Sequence, residues 1–308
     1  MNCKHFNKIL GLVYQKSPLQ KKKIEKYLAG QNETFFYSAE LFAKDYVGYL
    51  ESQNIPLENA VNAYLKMVGD MIKSQIFFMK TGKYPVNQAE QAYDSVYNNE
   101  DEMKSYMLGL AISQFLWSTH HEMYLFFGNA LKKYGDSISS YLEIGPGHGL
   151  FLRTALQYLN VDASITVIDI SHISIEITKS IMNFFSHTKA SQISYHKIDI
   201  FNFDSSKKYN FITMGEVLEH VDYPEKLLVK LSSLLNKEGK AFISTCVDCP
   251  TIDHVYHFKS VDHIRKMLNS CGLLIEDERV LPVEDLPMKE VIEKKITINY
   301  CAIVKRKT

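Results

Sequence analysis

The sequence predicts an α/β protein: a seven-stranded, mostly parallel sheet preceded by a helical N-terminal domain. Three observations carry that expectation. From Leu19 to about Tyr134, apolar residues recur at three- and four-residue spacing, as in NAVNAYLKMVGDMIKSQIFFMK and MKSYMLGLAISQFLWSTHHEMYLFFGNALKKYG, the period of helices that bury one face. After Asp136 short β-like runs alternate with helical ones, the order of βαβ units joined by right-handed crossovers. Between one such strand and one such helix lies YLEIGPGHGLFL, residues 141–152, whose glycines allow a sharp turn and a close approach to the backbone.

In the helical part, Pro18, Pro56 and Pro85 sit where one helix gives way to the next. Lys132 and Lys133 followed by Gly135 form a helix stop, so residues 1–135 are expected to be a helical lid and selectivity domain and residues 136–308 the sheet domain. The strands expected there are SISSYLEIG, SITVIDI, QISYHKIDI, YNFITMGE and GKAFISTCV, and the helices between them FLRTALQYL, ISIEITKSIMNFF, PEKLLVKLSSLLN and SVDHIRKMLNSCG. The tail runs GLLIEDERVLP and KKITINYCAIVKRK are expected to close the sheet as a hairpin.

At 308 residues, with 46% hydrophobic and 23% charged residues, the chain reads as globular rather than disordered. Lys plus Arg balance Asp plus Glu at 35 each, which leaves no overall field for polyanions or an anionic membrane and weakens a nucleic-acid reading. Cys3, Cys246, Cys249, Cys271 and Cys301 are odd in number and scattered, unlike a disulfide framework. With no apolar run suited to a signal peptide or membrane helix, a soluble cytoplasmic protein is expected; its oligomeric state is open, a homodimer included.

The glycine turn holds the clearest chemistry. A dinucleotide site expects G-x-G-x-x-G, whereas here Gly145, Gly147 and Gly149 alternate and Leu150 stands where the third glycine of that pattern would be. No G-x-x-x-x-G-K-[ST] is present. Glu143, two residues ahead, brings a carboxylate that would oppose a phosphate and favour a cation. Asp169 ends the second strand, 22 residues beyond Gly147, where an acid accepts from a ribose diol; the spacing alone fits NAD equally. Asp199 ends the third strand.

After the fourth strand, Glu216, Glu219 and His220 form E-x-x-E-H. On one helical turn all three would face one point; two carboxylates favour Mg²⁺ or Mn²⁺, and added imidazoles shift preference toward Fe²⁺, Co²⁺ or Zn²⁺. His254 and His257, with Asp253, follow the fifth strand at the same sheet edge and extend the candidate metal set. Without a metal, His220, His254 or His257 is the candidate base. Cys246 and Cys249 make a C-x-x-C without a second pair and read as cysteines lining a strand end. His120, His121 and Tyr124, on the helix leading into the sheet domain, are candidates to close over cofactor or substrate, while Phe115, Trp117, Phe126 and Phe127 at helical spacing read as core.

The E-x-G-x-G-x-G of Glu143, Gly145, Gly147 and Gly149 resembles the cofactor loop of class I S-adenosylmethionine-dependent methyltransferases. GEVLEHV resembles the segment after the fourth strand in the branch that includes ubiquinone-biosynthesis O-methyltransferases. The resemblance covers roughly residues 136–280 and leaves out the helical half. It implies a Rossmann-like fold with S-adenosylmethionine as cofactor, bound by Glu143, the three glycines, Asp169, Asp199 at the adenine amino group, and Glu216. It further implies methyl transfer to a small molecule, O-methylation foremost, with the divalent metal left open. C-methylation of a metal-chelated 2-oxo acid, RNA 2′-O-methylation and a non-catalytic binding module with this fold stay open beside it.

Overall fold

The computed structural model describes residues 3–185, 187–204 and 206–307. Its first part is helical: α1 (Lys4–Lys16), α2 (Pro18–Leu28), α3 (Glu33–Ser52), α4 (Leu57–Thr81), α5 (Ala89–Ala92), α6 (Glu100–Leu116) and α7 (Ser118–Tyr134). The local sequence sets these boundaries. Ser17 Oγ accepts from Gln20 N with Pro18 in the first turn of α2, Asn32 Oδ1 accepts from Phe35 N at the start of α3, and Gly82, at φ 69°, ends α4.

The sheet is built from β1 (Ser140–Ile144), β2 (Ser164–Asp169), β3 (Ile193–Lys197), β4 (Tyr209–Gly215), β5 (Leu235–Val247), β6 (Leu273–Pro282) and β7 (Ile298–Arg306). Between them run α8 (Leu150–Tyr158), α9 (His172–Phe185), α10 (His187–Ala190), α11 (Pro224–Leu234), α12 (Val261–Ser270) and α13 (Met288–Glu293). The strand order is β3-β2-β1-β4-β5-β7-β6. Neighbours from β3 to β5 pair in parallel, and β7 runs antiparallel to both β5 and β6. This is the seven-stranded, mostly parallel Rossmann-like sheet the alternation predicts, with the tail hairpin as its far edge. Strand β5 begins at Leu235 rather than Gly239, because Tyr209 pairs with Leu235 across a register shift. A Cβ on Gly239 would stand 2.7 Å from the Tyr209 carbonyl, so this polar run hides an irregular strand start.

One face of the sheet shares a continuous apolar core with the helical part. Phe127 of α7 packs on Phe242 of β5 at 4.9 Å and on Phe151 of α8 at 4.9 Å. On the other face Leu227, Leu228 and Leu231 of α11 meet Ile264 and Leu268 of α12. Helices α4 and α6 cross at Gly109, where a Cβ would lie 2.9 Å from the Ala63 carbonyl carbon; that close approach brings α6 over the ends of the parallel strands.

Glu143 belongs to this framework. Tyr141 and Glu143 lie two apart on β1 and share a face, and Thr213 is the register partner of Glu143 on β4. Tyr141 Oη donates to Glu143 Oε2 at 2.5 Å and lies 2.8 Å from Thr213 Oγ1. The backbone N–H of Leu152, in the first turn of α8, donates to the same carboxyl, so Glu143 satisfies one of the free donors of that helix. The residue is 1% exposed and does not line the cavity described below. This corrects its expected place on the cofactor: the backbone turns it toward its own strand and helix instead.

Burial pushes the Glu143 carboxyl from 4.5 up to about 8. The folded state therefore holds a proton that the unfolded state releases, and stability falls as pH rises between these values, by up to about 1.4 kcal/mol per pH unit. Glu143→Gln is expected to flatten the urea-unfolding free energy between pH 5 and 8 and to exceed the wild type in stability at pH 8; parallel profiles would refute the buried-proton assignment. Glu143→Ala takes the acceptor from the Leu152 N–H and one of two acceptors from Tyr141 Oη, and is expected to cost about 1–3 kcal/mol throughout.

Candidate active site

The C-terminal ends of β1, β2, β4 and β5 surround a cavity of about 830 Å³, roofed by α2, α4, α6 and α7. Such a volume lies toward the upper end of the roughly 300–1,000 Å³ of small-ligand sites and has room for two partners. Its position at the carboxyl ends of parallel strands is where open α/β sheets bind ligands.

One end is the glycine turn. Gly145, Gly147 and Gly149 adopt φ of 67°, 51° and 69°, a region that side chains disfavour. A Cβ on Gly145 would also stand 2.8 Å from Val217 Cγ2. Gly145 N donates to the Ile168 carbonyl, stitching the loop to β2, and Gly149 N donates to the Pro146 carbonyl. Gly145 and Gly147 line the cavity, whereas Gly149 sits behind it as the N-cap of α8. Asp169 and Asp199 line the same end. Asp169 accepts from Ser171 N at 2.7 Å and Ser174 Oγ at 2.6 Å, and burial raises its carboxyl from 3.8 to about 6. Asp199 Oδ1 accepts from Phe201 N at 2.9 Å.

Among the described lining residues the one lysine is Lys23 of α2, and no arginine is present. Acids without a facing cation oppose a pyrophosphate and suit a ligand carrying positive charge. The bare turn, the acid at the end of β2 and this charge balance fit S-adenosylmethionine, which has a sulfonium and an ammonium and no phosphate.

Midway along the cavity the chain makes a second sharp turn. Glu216 follows β4 with φ 52°, its N–H held by the Ser244 carbonyl at 3.1 Å, and Leu218–His220 form a 3₁₀ turn. E-x-x-E-H thus does not lie on one α-helical turn, because the left-handed residue reverses the chain before the helical geometry begins. Glu216 and His220 line the cavity, and Glu219 lies behind it, 1% exposed. Oε1 of Glu216 and Oε1 of Glu219 are both buried without a hydrogen-bond partner. Burial first, and Glu219 second, push the Glu216 carboxyl well above the carboxylate range.

His220 is oriented by groups from two other segments. Tyr97 Oη donates to Asp253 Oδ2 at 2.9 Å, so toward His220 Nδ1, also at 2.9 Å, it acts as an acceptor. The Asp253 carbonyl, 3.0 Å from the same nitrogen, can only accept. Nδ1 therefore carries the proton and Nε2 the lone pair. Asp253 is fully buried; burial opposes its ionisation, but His220 and His254 hold its carboxyl below the usual range.

His254 lines the cavity beside His220, ring centroids 4.8 Å apart. The fold also brings Cys246 and Cys249 here: Cys246, Cys249 and His254 place one ligand atom each within 4.8 Å of one another, as do Glu219, His220 and His254, and Glu216, Glu219 and Cys246. A hydrogen bond from Cys246 first, and His254 second, draw the Cys249 thiol down to about 5 against the effect of burial. The cysteines expected merely to line a strand end are thus part of the cluster. The orphaned carboxylate oxygens and this donor set fit a divalent cation.

Besides Glu143, three expected site residues lie elsewhere. His257 Nε2 pairs with Asp248 Oδ1 at 2.7 Å and packs between Phe78 and Tyr84; the bend at Asp248, φ 49°, carries it away from His254. His121 is buried against Phe35 and Phe115, and Tyr124 meets Thr154 Oγ1 at 2.9 Å; neither lines the cavity, because the helical period turns both into the core. His120 does line it. Ser113 Oγ donates to the Leu110 carbonyl, so His120 Nδ1 donates to Ser113 at 2.8 Å, and burial lowers the imidazole to about 3, leaving it neutral. Tyr97, Tyr106 and Met107 complete the wall; from sequence they are indistinguishable from helix core.

Residues 120–280, just over half the chain, match the family described as "Methyltransferase domain". The mitochondrial ubiquinone biosynthesis O-methyltransferase of Candida albicans is 32% identical over 110 residues, 36% of this chain and 33% of that protein. The ubiquinone biosynthesis O-methyltransferase of Coxiella burnetii is 28% identical over 108 residues, 34% of this chain and 42% of that protein. The match thus spans a third to two fifths of the curated relatives. Among solved structures, the N-methyltransferase NodS from Bradyrhizobium japonicum WM9, in complex with S-adenosyl-L-homocysteine, superposes with a TM-score of 0.51 at 18% identity, covering 72% of this chain and all of that one. The mitomycin 7-O-methyltransferase MmcR gives 0.55 at 10% identity, covering 81% and 70%. These likenesses concern the fold, and no helix among the described residues is long and apolar enough to cross a membrane. With its glycine turn, its strand-end acids and a match over more than half its length, the chain belongs to the methyltransferase domain family.

Proposed function

We propose that this protein transfers a methyl group from S-adenosylmethionine to an oxygen of a small, largely apolar acceptor. The observation that carries the reading is the continuity of one cavity, from the glycine turn and Asp169, past His220, to a wall of Met67, Met71, Leu110 and Trp117 contributed by the helical part. The names of the curated relatives favour oxygen as the accepting atom.

S-adenosylmethionine, when bound, supplies an electrophilic methyl carbon on a sulfonium. Asp169 would accept from the ribose hydroxyls, and the Gly145–Gly147 backbone would leave room for the amino-acid portion. His220 Nε2, its tautomer fixed by Tyr97 and Asp253, takes the acceptor's hydroxyl proton as the oxygen attacks. The apolar roof aligns the acceptor and excludes water, which is the main work in a direct displacement. The unpaired Glu216 and Glu219 oxygens favour a further component: a divalent cation bound beside His220, which would polarise the acceptor oxygen.

Calorimetry with S-adenosylhomocysteine tests the cofactor reading, and absence of binding at every pH would overturn it. Because Asp169 accepts best when ionised, affinity is expected to rise as pH is raised through about 6, and Asp169→Asn to be weaker by about 1–3 kcal/mol and nearly pH-independent. In methyl transfer from labelled S-adenosylmethionine to a panel of phenols and catechols, His220→Gln is expected to lower turnover about 100-fold or more with S-adenosylhomocysteine affinity unchanged. Undiminished turnover would remove His220 as the base.

A further inference from the structure

We propose that the wall beside His220 is a site for a thiophilic divalent cation, of which Zn²⁺ is the type, held by Cys246, Cys249, His254 and Glu219. The inference rests on the cation component of the proposed function and deepens it: the ion is selected by sulfur rather than by carboxylates alone.

Neither sequence motif makes this site by itself. C-x-x-C lacks a second pair at zinc spacing, and E-x-x-E-H offers only oxygen and imidazole. The sheet order joins them, because β4 and β5 are neighbours with Gly215 opposite Ser244, so residues just past each strand end share one corner. The Glu219 carbonyl accepts from Val255 N at 2.8 Å and Tyr256 N at 3.0 Å, which fastens the turn after β4 to the loop after β5.

Three of the four ligands converge directly, and Glu219 reaches two of them. Cys246, Cys249 and His254 are all buried, with ligand atoms within 4.8 Å of one another. A tetrahedral Zn²⁺ with bonds of roughly 2.0–2.3 Å sets its ligand atoms roughly 3.3–3.8 Å apart, so closure requires side-chain movement of about 1 Å. His254 Nδ1 lies 2.7 Å from the Cys249 carbonyl, which can only accept, and 3.6 Å from Cys246 Sγ; the carbonyl keeps a proton on Nδ1, so an ion would bind at Nε2 by displacing the proton there, as in metal-bound histidines held by a backbone carbonyl.

Glu219 gives the independent pointer to a cation. It comes within ligand reach of His254 in one trio and of Cys246 in another. Its Oε2 accepts from Thr245 Oγ1 at 2.8 Å, while Oε1 is buried with no hydrogen-bond partner. Two sulfurs, an imidazole and one carboxylate oxygen match Zn²⁺ rather than Mg²⁺, which demands an octahedron of oxygens. Cys249 and His254 line the cavity, so the ion is reached from the side where the acceptor lies.

The probe is Co²⁺, then Zn²⁺, added to the full chain after chelator treatment and removal of the chelator. One equivalent of Co²⁺ is expected to give a near-ultraviolet thiolate-to-cobalt charge-transfer band with the strong visible bands of a tetrahedral ion, both removed by Zn²⁺. Cys246→Ser and Cys249→Ser are each expected to remove most of the charge-transfer band and weaken Zn²⁺ about 100-fold or more, while His257→Ala leaves both unchanged. Zn²⁺ is also expected to protect Cys246 and Cys249 of the wild type from alkylation, a readout that does not depend on the variants folding. Absence of Co²⁺ binding overturns the site. So does binding without the charge-transfer band and with equal affinity in both serine variants, which would mean an oxygen–imidazole site at Glu219, His220 and His254. S-adenosylhomocysteine calorimetry on the same metal-free protein separates the two proposals, since its failure beside a positive cobalt spectrum overturns only the methyl-donor reading.

Discussion

The cavity wall depends on a strained turn. Glu216 sits at φ 52° immediately after β4, and Asp248 at φ 49° immediately after β5, so two adjacent strands each end in a left-handed residue that is not glycine. Such a conformation costs about 1–3 kcal/mol and persists only where its surroundings determine it. Here Ser244, through its carbonyl and its hydroxyl, holds the Glu216 amide, and the Asp248 amide donates to the Phe258 carbonyl. The first turn sends Glu219 behind the wall and His220 onto it. The second throws His257 outward and leaves Cys249 and His254 facing in. Without these reversals the strand-end acids, thiols and imidazoles would not share a corner.

The framework was largely legible in the sequence because its signals are local. Short β-like runs that alternate with helical ones, and breaks such as Pro18 and Pro56 where α2 and α4 begin, report the preferences of a few neighbouring residues. The Leu235 start of β5 was hidden because its polar residues lack the strand pattern and pairing with Tyr209 defines it. Site membership was harder for the same reason. The text E-x-G-x-G-x-G does not say whether Glu143 faces a ligand or the first turn of α8; the answer comes from Tyr141 and Thr213, one on its own strand face and the other on a neighbouring strand. His120 and His121 differ by about 100° around one helix, and which of the two meets the cavity depends on how α7 packs. Cys246 and Glu219 become neighbours only through the order of strands.

The helical part supplies more than a cover. Its core is continuous with one face of the sheet, so the apolar roof formed by α4, α6 and α7 is fixed to the strands that carry the polar groups. That roof lowers the local dielectric, which strengthens every charge interaction beneath it and raises the cost of each unpaired charge. The raised carboxyls of Asp169 and Glu216 and the neutral His120 share one leading cause, burial under this roof.

These carboxyls hold protons more tightly than exposed acids, so a cation entering the cavity competes with a proton rather than meeting a ready counter-charge. An arriving positive ligand favours the ionised form of each acid it approaches and expels the proton into solution, so its affinity rises with pH. A phosphate-bearing ligand gains nothing from such acids and must keep them protonated, so its affinity falls with pH. The same glycine turn could serve either ligand by shape; the sign of the proton exchange separates them, and it is set by the residues the fold gathers around the turn rather than by the turn itself.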